Sequence, residues 1–281
     1  MSKTNIAFEL TSYTYFDLLG IDSEKLLQGQ ISVDVTKIVD HTAQLAVLCN
    51  PKGRIVSLFH IHRIADGFRF ILPKEITVLT ITHLNKYAVF YKVSITPAGD
   101  SSNIIVRQTD TKEKLEPSPI NIPGIDLVIN YKDSLNSITN YAESASTEIM
   151  HSDKHWYWSL ASNRIAWLTA DTCEQFLPHN LDLPRLTAID FNKGCFTGQE
   201  VIARMQYKGK LKQHLQLLNT VQVVDLAPLQ KLHQNGKKVA DVVCCISQQG
   251  NGSLVLALVK DAADQDRPFL NIEHGCEFLI S

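Results

Sequence analysis

The chain has 281 residues, with 27 Lys and Arg against 29 Asp and Glu. Hydrophobic residues make up 44% and charged residues 20%, the balance of a folded globular protein and not of a disordered one. Near-neutral charge excludes a generally basic nucleic-acid binder, so contact with a polyanion has to come from a local patch. At about 150 residues per domain, the length predicts about two domains. The start, MSKTNIAFELTSYTYF, has no apolar core after a basic opening, so no signal peptide is expected. The run Leu254 to Val259 is far short of the roughly 20 residues of a membrane helix. Cys49, Cys173, Cys195, Cys244, Cys245 and Cys276 form no C-x-x-C pair. They read as reduced, mostly buried thiols of a cytoplasmic protein, with no metal site and no disulfide scaffold.

In chain order, a short helix is expected from Asp22 through Leu26 and Leu27 to Gln28-Gly29-Gln30. Gln44 to Cys49 reads as a strand, Asn50-Pro51-Lys52-Gly53 as a turn, and Arg54 to His62 as a second strand. Ala65-Asp66-Gly67 turns the chain into a third strand, Phe68 to Leu72. Pro73 opens a helix over Lys74 to Leu84, and Tyr87 to Ile95 is expected to be a strand. This order predicts an α+β unit with an antiparallel sheet. Thr96 to Pro123, with four prolines, is expected to contain exposed connections. A helix is expected across Trp156 to Leu168, with Trp156, Leu160 and Trp167 available for packing, before Pro178 and Pro184 break the chain. From Leu215 onward, short strands alternate with Gln234-Asn235-Gly236, Gly250-Asn251-Gly252 and Asp264-Gln265-Asp266, the pattern of a small antiparallel barrel.

The segment Lys193-Gly194-Cys195-Phe196-Thr197-Gly198-Gln199-Glu200 carries the chemistry. Thr197 and Glu200 stand in the S/T-x-x-E relation before Val201 and Ile202, which predicts a helix capped at Thr197. Cys195 then lies near the positive end of that helix, with Lys193 beside it, and both favour the thiolate. Gly194 and Gly198 are expected to let the backbone turn tightly around the sulfur. Glu200 and Arg204 are spaced to pair along the helix. The competing reading is a tight loop with an inert small residue at its apex.

Beyond the motif, Arg204, Lys208, Lys210 and Lys212 make a candidate anion patch, read either as a solvated face or as a site for an anionic ligand tail or an RNA backbone. His60 and His62 are two apart on a strand and His151 and His155 one helical turn apart. Neither pair has a third ligand, so they read as satisfied or exposed histidines and no metal is expected. There is no H-E-x-x-H, phosphate loop, G-x-G-x-x-G or G-x-S-x-G.

The motif from Lys193 to Glu200, followed by Ala203-Arg204 and Tyr207-Lys208-Gly209-Lys210, closely resembles the signature of the YgfZ folate-binding proteins, relatives of the glycine-cleavage T-protein (aminomethyltransferase). Leu27-Gln28-Gly29-Gln30 with Asp34-Val35, Asn50-Pro51-Lys52-Gly53-Arg54, and Phe176-Leu177-Pro178-His179 extend the likeness, in family order, over about residues 16 to 215. The resemblance implies an α+β, T-protein-like ring: two interlocked α+β subdomains in residues 1–206, one of them discontinuous, closed by a C-terminal antiparallel β-barrel in 207–281. It implies binding of tetrahydrofolate or a derivative, with Gln30, Asp34, Asn50, Arg54, Arg164, Trp167 and Gln199 as candidate contacts. It implies a monomeric accessory protein that assembles, repairs or maintains iron–sulfur client proteins, tRNA-modifying enzymes among them. Cys195 would be the working thiol and Lys193 its activator, with RNA contact through the basic patch and none with a membrane. The alternative is a folate-dependent aminomethyltransferase. Against that, Ala166 and the pair Ser57-Leu58 stand where the T-protein carries acids. A third reading is an RNA-binding scaffold that works through the lysines.

Overall fold

The structure is a computed structural model. It describes residues 7–40, 42–98, 104–108, 120–121, 127–131, 149–150, 153–264, 266–271 and 275–281. His151 lies outside them. Three sheets organise the chain. The first is five-stranded, in the order β3 (Gln44–Cys49), β4 (Ile55–Ile64), β5 (Gly67–Pro73), β2 (Tyr13–Leu19) and β6 (Ser94–Pro97), all antiparallel. Helices α1 (Ser23–Gln30) and α2 (Lys74–Ala88) pack beside it. The second sheet runs β10 (Ile149–Met150), β1 (Ala7–Leu10), β7 (Ile104–Gln108), β9 (Leu127–Tyr131) and β8 (Ile120–Asn121). After α3 (Lys154–Ser162) and α4 (Gln199–Lys208), a closed barrel follows. Its order is β11 (Gln213–Thr220), β14 (Gly252–Lys260), β13 (Lys237–Gln248), β12 (Lys231–Gln234), β15 (Phe269–Asn271) and β16 (Cys276–Ile280). Among the described residues, no helix is long and apolar enough to cross a membrane.

The expected strands from Gln44 to Leu72 form as read. Two expectations fail in instructive ways. Tyr87 to Ile95 is not a strand: α2 continues through Ala88, carrying Leu84 and His83 into the core, and turns follow until β6 begins at Ser94. The apolar Val89 and Phe90 are left exposed in those turns. The helix expected over Trp156 to Leu168 stops at Ser162. Arg164 stands in the left-handed region at φ 56, its N–H donates to Ala161, and the Ile165 N–H donates to Leu160. This is a Schellman stop with arginine in the place usually held by glycine.

Two cores result. The larger spans the first sheet, α3 and one face of the barrel; the smaller fills the barrel. Along β14, Leu256 and Leu258 join the large core while Val255, Ala257 and Val259 point into the barrel. A strand buried on both faces reads as a continuous apolar run, which accounts for Leu254 to Val259 without a membrane. Helix α3 packs against β13 and β14 and so seats the barrel on the rest of the ring. Just before α3, the Asp153 carboxylate accepts from the Thr11 N–H and hydroxyl and from the Ser12 N–H, locking the β1–β2 corner to it.

Candidate functional site

The motif from Lys193 to Gln199 lies in a seam against two earlier loops. The Thr197 N–H donates to the Gly29 carbonyl (3.1 Å) and the Thr197 hydroxyl to Gln30 Oε1 (3.1 Å), fastening it to the end of α1. The Lys193 ammonium donates to the carbonyls of Ile31 (2.8 Å) and Val33 (2.7 Å). Gly198, at φ +85, caps α4 and faces the Asn50–Gly53 turn: a Cβ there would lie 2.7 Å from the Asn50 carbonyl oxygen. The contact is reciprocal, because a Cβ on Gly53 would lie 3.0 Å from Val201 Cβ. The turn itself is shaped by Asn50 Oδ1, which accepts from the N–H groups of Lys52 and Arg54. Between these anchors Gly194 and Cys195 are exposed, and Cys195 is the exposed thiol of the six.

This geometry revises several expectations. The helix is capped at Gly198 and not at Thr197, because the Thr197 hydroxyl is bonded to Gln30 and the left-handed glycine turns the chain. No ion pair joins Glu200 to Arg204 among the described residues; both are exposed, where such a pair gains little. Gly194 has no positive φ, and a Cβ there would meet nothing within 4 Å, so no tight turn requires it. Lys193 is buried and its charge faces two backbone carbonyls; desolvation brings its ammonium down to about 8. Burial pushes the thiols of Cys49 and Cys244 well up, and that of Cys173 to about 11.

The other candidate residues divide between the seam and a second place. Asp34 sits beside the seam, accepting from the Thr36 N–H and hydroxyl and from Gln28 Nε2, with Lys37 at 3.3 Å; these bonds hold its carboxyl at about 2. Lys37 also bonds Asp190, which lies three residues before Lys193 (2.8 Å). Gln199 is the first residue of α4, and the Arg54 guanidinium donates to the Gln175 carbonyl. Arg204, Lys208, Lys210 and Lys212 are all exposed along α4 and the strand of chain after it. Arg164 and Trp167 lie elsewhere. Arg164 reaches the Ser281 carbonyl at the end of the barrel (3.4 Å). Trp167 is half-buried, 4.7 Å from the Tyr157 ring, and lines an internal chamber.

That chamber lies on one face of β4. Leu58 and His60 point into it and Ser57 points away, donated to by the Thr80 hydroxyl of α2 (2.8 Å). Its walls include Tyr13, Leu45, Ile71, Ala166 and Trp167, and its volume is about 10 Å³, room for one water. The sequence reading of His60 as satisfied or exposed fails here. His60 is 4% exposed, its cross-strand neighbours are Leu45 and Ile71, and Nε2 has no hydrogen-bond partner among the described residues. Burial lowers its pKa to about 4, so the ring is neutral at pH 7. Leaving a buried polar atom unpaired costs ~1–3 kcal/mol. An alternating strand would have shown that Leu58 and His60 share a face, but not that the cross-strand neighbours of His60 are the apolar Leu45 and Ile71.

Two open α+β sheets joined to a closed barrel define a T-protein-like ring. A solved aminomethyltransferase T of the glycine cleavage system from Bartonella henselae superposes with a TM-score of 0.73, covering 98% of this chain and 84% of that one at 13% identity. Along the sequence, the chain is 27% identical over 299 aligned residues to the tRNA-modifying protein YgfZ of Colwellia psychrerythraea, covering 97% of this chain and 90% of that one. It is 25% identical over 287 aligned residues to the tRNA-modifying protein YgfZ of Aliivibrio fischeri, covering 93% and 87%. No protein-family model matches. The chain is thus similar along nearly all of its length to the YgfZ proteins, the resemblance its motif carries.

Proposed function

We propose that this protein is a folate-binding factor related to tRNA modification, and more specifically an accessory protein that assembles, repairs or maintains iron–sulfur proteins, including tRNA-modifying enzymes. Cys195 is its working thiol. The observation that carries this reading is the presentation of Cys195: exposed, on a loop pinned by Lys193 on one side and by Thr197 and Gly198 on the other. A thiol so placed is open to a macromolecular client, while the buried cysteines are not. In this reading Lys193 serves by fixing the loop. Gln30, Asp34, Asn50, Arg54 and Gln199 border the folate site at the seam, while Trp167 lines the chamber and Arg164 reaches the end of the barrel. Residues 1–206 and 207–281 act as its two units, and the exposed basic stretch from Arg204 to Lys212 offers RNA a contact. The protein works as a cytoplasmic monomer.

The chamber as it stands does not fit a folate. Its walls are aromatic and apolar, and His60 Nε2 gives one neutral hydrogen-bonding atom. Folate, when bound, supplies a flat pterin ring and a carrier for one-carbon units. A ring needs more room than one water, so the walls must part, and Trp167 is the lining side chain that is not fully buried.

The shared fold favours aminomethyl transfer as the second reading. That reaction needs acid–base help worth roughly 10²–10⁴-fold in rate. Leu58 and Ala166 face the chamber and Ser57 faces α2, and none offers a carboxylate. The deciding experiment is a deletion strain rescued with wild type or Cys195→Ser, with tRNA thiolation and iron–sulfur enzyme activities measured. Rescue by wild type alone supports the proposal. Full rescue by Cys195→Ser refutes the thiol's role, and glycine-cleavage turnover by the purified protein promotes the second reading.

A further inference from the structure

We propose that the outer face of α4 and the groove beside it bind an unpaired stretch of RNA, with Tyr207 stacking on a base and Arg204, Lys208, Lys210 and Lys212 meeting the phosphates. This deepens the reading of the basic stretch and rests on it; folate plays no part in it. Three observations converge. Arg204, Tyr207 and Lys208 are three and four residues apart on α4, so they share one face of the helix, and all three are exposed. Tyr207 is 71% exposed, and its ring is held 6.3 Å from that of Phe191. Phe191 lies 6.2 Å from the His179 ring, whose Nε2–H donates to Gln206 Oε1 of α4 (3.1 Å). The short helical turn that carries His179, Pro178–Leu181, also carries Asn180. Asn180 lines a groove of about 550 Å³ with Lys212 and Gln213, where β11 begins, and Lys260, Asp261 and Ala262, where β14 ends. Lys212 belongs to both the basic stretch and the groove, so the groove carries the cationic track beyond the end of α4.

The track is preorganised and of one sign. Gly209 lies so close to the helix that a Cβ there would stand 2.6 Å from the Met205 carbonyl oxygen, which fixes the direction in which Lys210 and Lys212 leave α4. No Asp or Glu occurs from Val201 to Val224. Lys260 is held at the groove by donating to the Lys238 carbonyl (3.0 Å). Of the nearby acids, Asp261 lies 3.2 Å from His214 Nε2 and Asp182 is paired with Arg185 (2.6 Å). Glu200 stands one turn ahead of Arg204 on α4 and leaves the cations in excess. An acidic protein would be met by the cations alone. A single strand brings a charged backbone and flat bases together, and a positive groove with an exposed aromatic ring beside it is how such strands are held. Paired bases keep their faces inside the duplex, so the Tyr207 ring selects unpaired ones.

The test is fluorescence anisotropy with a labelled single-stranded RNA of about 12 nucleotides, titrated at several salt concentrations. Duplex RNA of the same sequence and polyglutamate serve as competitors. Wild type should bind the single strand, and neither competitor should displace it as well as the unlabelled strand does. Tyr207→Ala should bind about tenfold more weakly with an unchanged salt dependence, and Tyr207→Phe should bind as wild type does. Lys210→Gln/Lys212→Gln should reduce the slope of log affinity against log salt by about 1.4, two single-strand phosphate contacts. All three side chains are exposed, so the variants should melt with wild type. Equal displacement by duplex or polyglutamate makes the face a general anion site and overturns the proposal. So does unchanged affinity in Tyr207→Ala, an unchanged salt slope in the lysine variant, or no binding by wild type. The iron–sulfur reading is decided separately, by rescue with Cys195→Ser.

Discussion

Gly198→Ala should undock the cysteine loop from the rest of the ring, and Gly194→Ala should not. At Gly198 the backbone holds φ +85, a region in which an L side chain costs about 1–2 kcal/mol. The added Cβ would also lie 2.7 Å from the Asn50 carbonyl oxygen, 3.1 Å from Gly53 Cα and 3.2 Å from Cys49 Cβ. Two of these atoms are backbone in a turn already fixed by the Asn50 side chain, so the clash is relieved only by moving the loop; overpacking of this kind costs about 1–3 kcal/mol. Together the terms reach about 2–5 kcal/mol, and at about 2 °C per kcal/mol for a chain of this size the melting temperature should fall by about 4–10 °C. Gly194 has ordinary φ and open space around a Cβ, so Gly194→Ala should stay within about 0.5 kcal/mol of wild type. Circular dichroism melts of the two variants, of Gly53→Ala and of Gly53→Ala/Gly198→Ala test this. The double variant should lose less than the sum of the singles, because both changes break one seam. A Gly198→Ala melt within about 1 °C of wild type, or a Gly194→Ala loss as large, would refute the docking argument.

Limited alkylation followed by peptide mapping should modify Cys195 first and leave Cys49 and Cys244 unmodified in the native state, since the first is exposed and burial holds the other two as thiols; early labelling of Cys49 or Cys244 would contradict the fold. Lys193 gives a signed pH dependence. Its folded pKa of about 8 lies below the ~10.4 of an unfolded lysine, so between those values the unfolded chain holds more protons and stability rises with pH. Lys193→Met should remove that rise from denaturant titrations at pH 7.5 to 10, and it should also lower stability by stranding the carbonyls of Ile31 and Val33. Asp34 acts with the same sign at the acid end: with its carboxyl held at about 2, its stabilisation is present above about pH 4 and lost as pH falls toward 2, and Asp34→Asn should flatten acid denaturation over that range. Arg164→Gly should raise stability by about 0.5–1 kcal/mol by relieving the left-handed φ of 56 at the end of α3, read as a small rise in melting temperature; a fall would show that the bond to Ser281 outweighs the strain.

The first sheet was legible where local rules and tertiary demand agree. Gln44–Cys49 is a run of strand formers, Asn50-Pro51-Lys52-Gly53 is a turn by composition, and both appear as read. Legibility failed where the sequence admits two periods. Tyr87 to Ile95 is rich in aromatic and β-branched residues, yet α2 is already propagating through Leu84 and Tyr87, and only Ser94–Pro97 finds a partner strand, β2. Trp156, Leu160 and Trp167 fit one helical face, but the hydrogen bonds that end α3 involve Arg164 in a conformation that composition does not announce for arginine. Strands β1 and β2 carry no turn or alternation signal strong enough to stand out before their partners β7 and β5 are known. At the site, the eight-residue motif told which loop matters and its spacing misplaced the cap by one residue. What the cap position depends on, the approach of Gly198 to the Asn50–Gly53 turn, joins segments about 150 residues apart and has no local signature.

The same long-range logic separates the two parts of the site. The seam is held by polar contacts: Lys193 to two backbone carbonyls, the Thr197 N–H to the Gly29 carbonyl, and the Gln28 and Thr36 side chains to the Asp34 carboxylate. Such contacts fix position and leave the exposed Cys195 side chain free for a partner. The chamber is held by apolar packing, with Leu58 and Ala166 among walls that close to about 10 Å³. Carboxylates there would need water or a ligand at all times, because an unpaired buried charge is far more costly than an unpaired imidazole nitrogen. Leucine and alanine there close the chamber with no charge to solvate, at the cost of a buried imidazole, His60, whose pKa burial lowers to about 4.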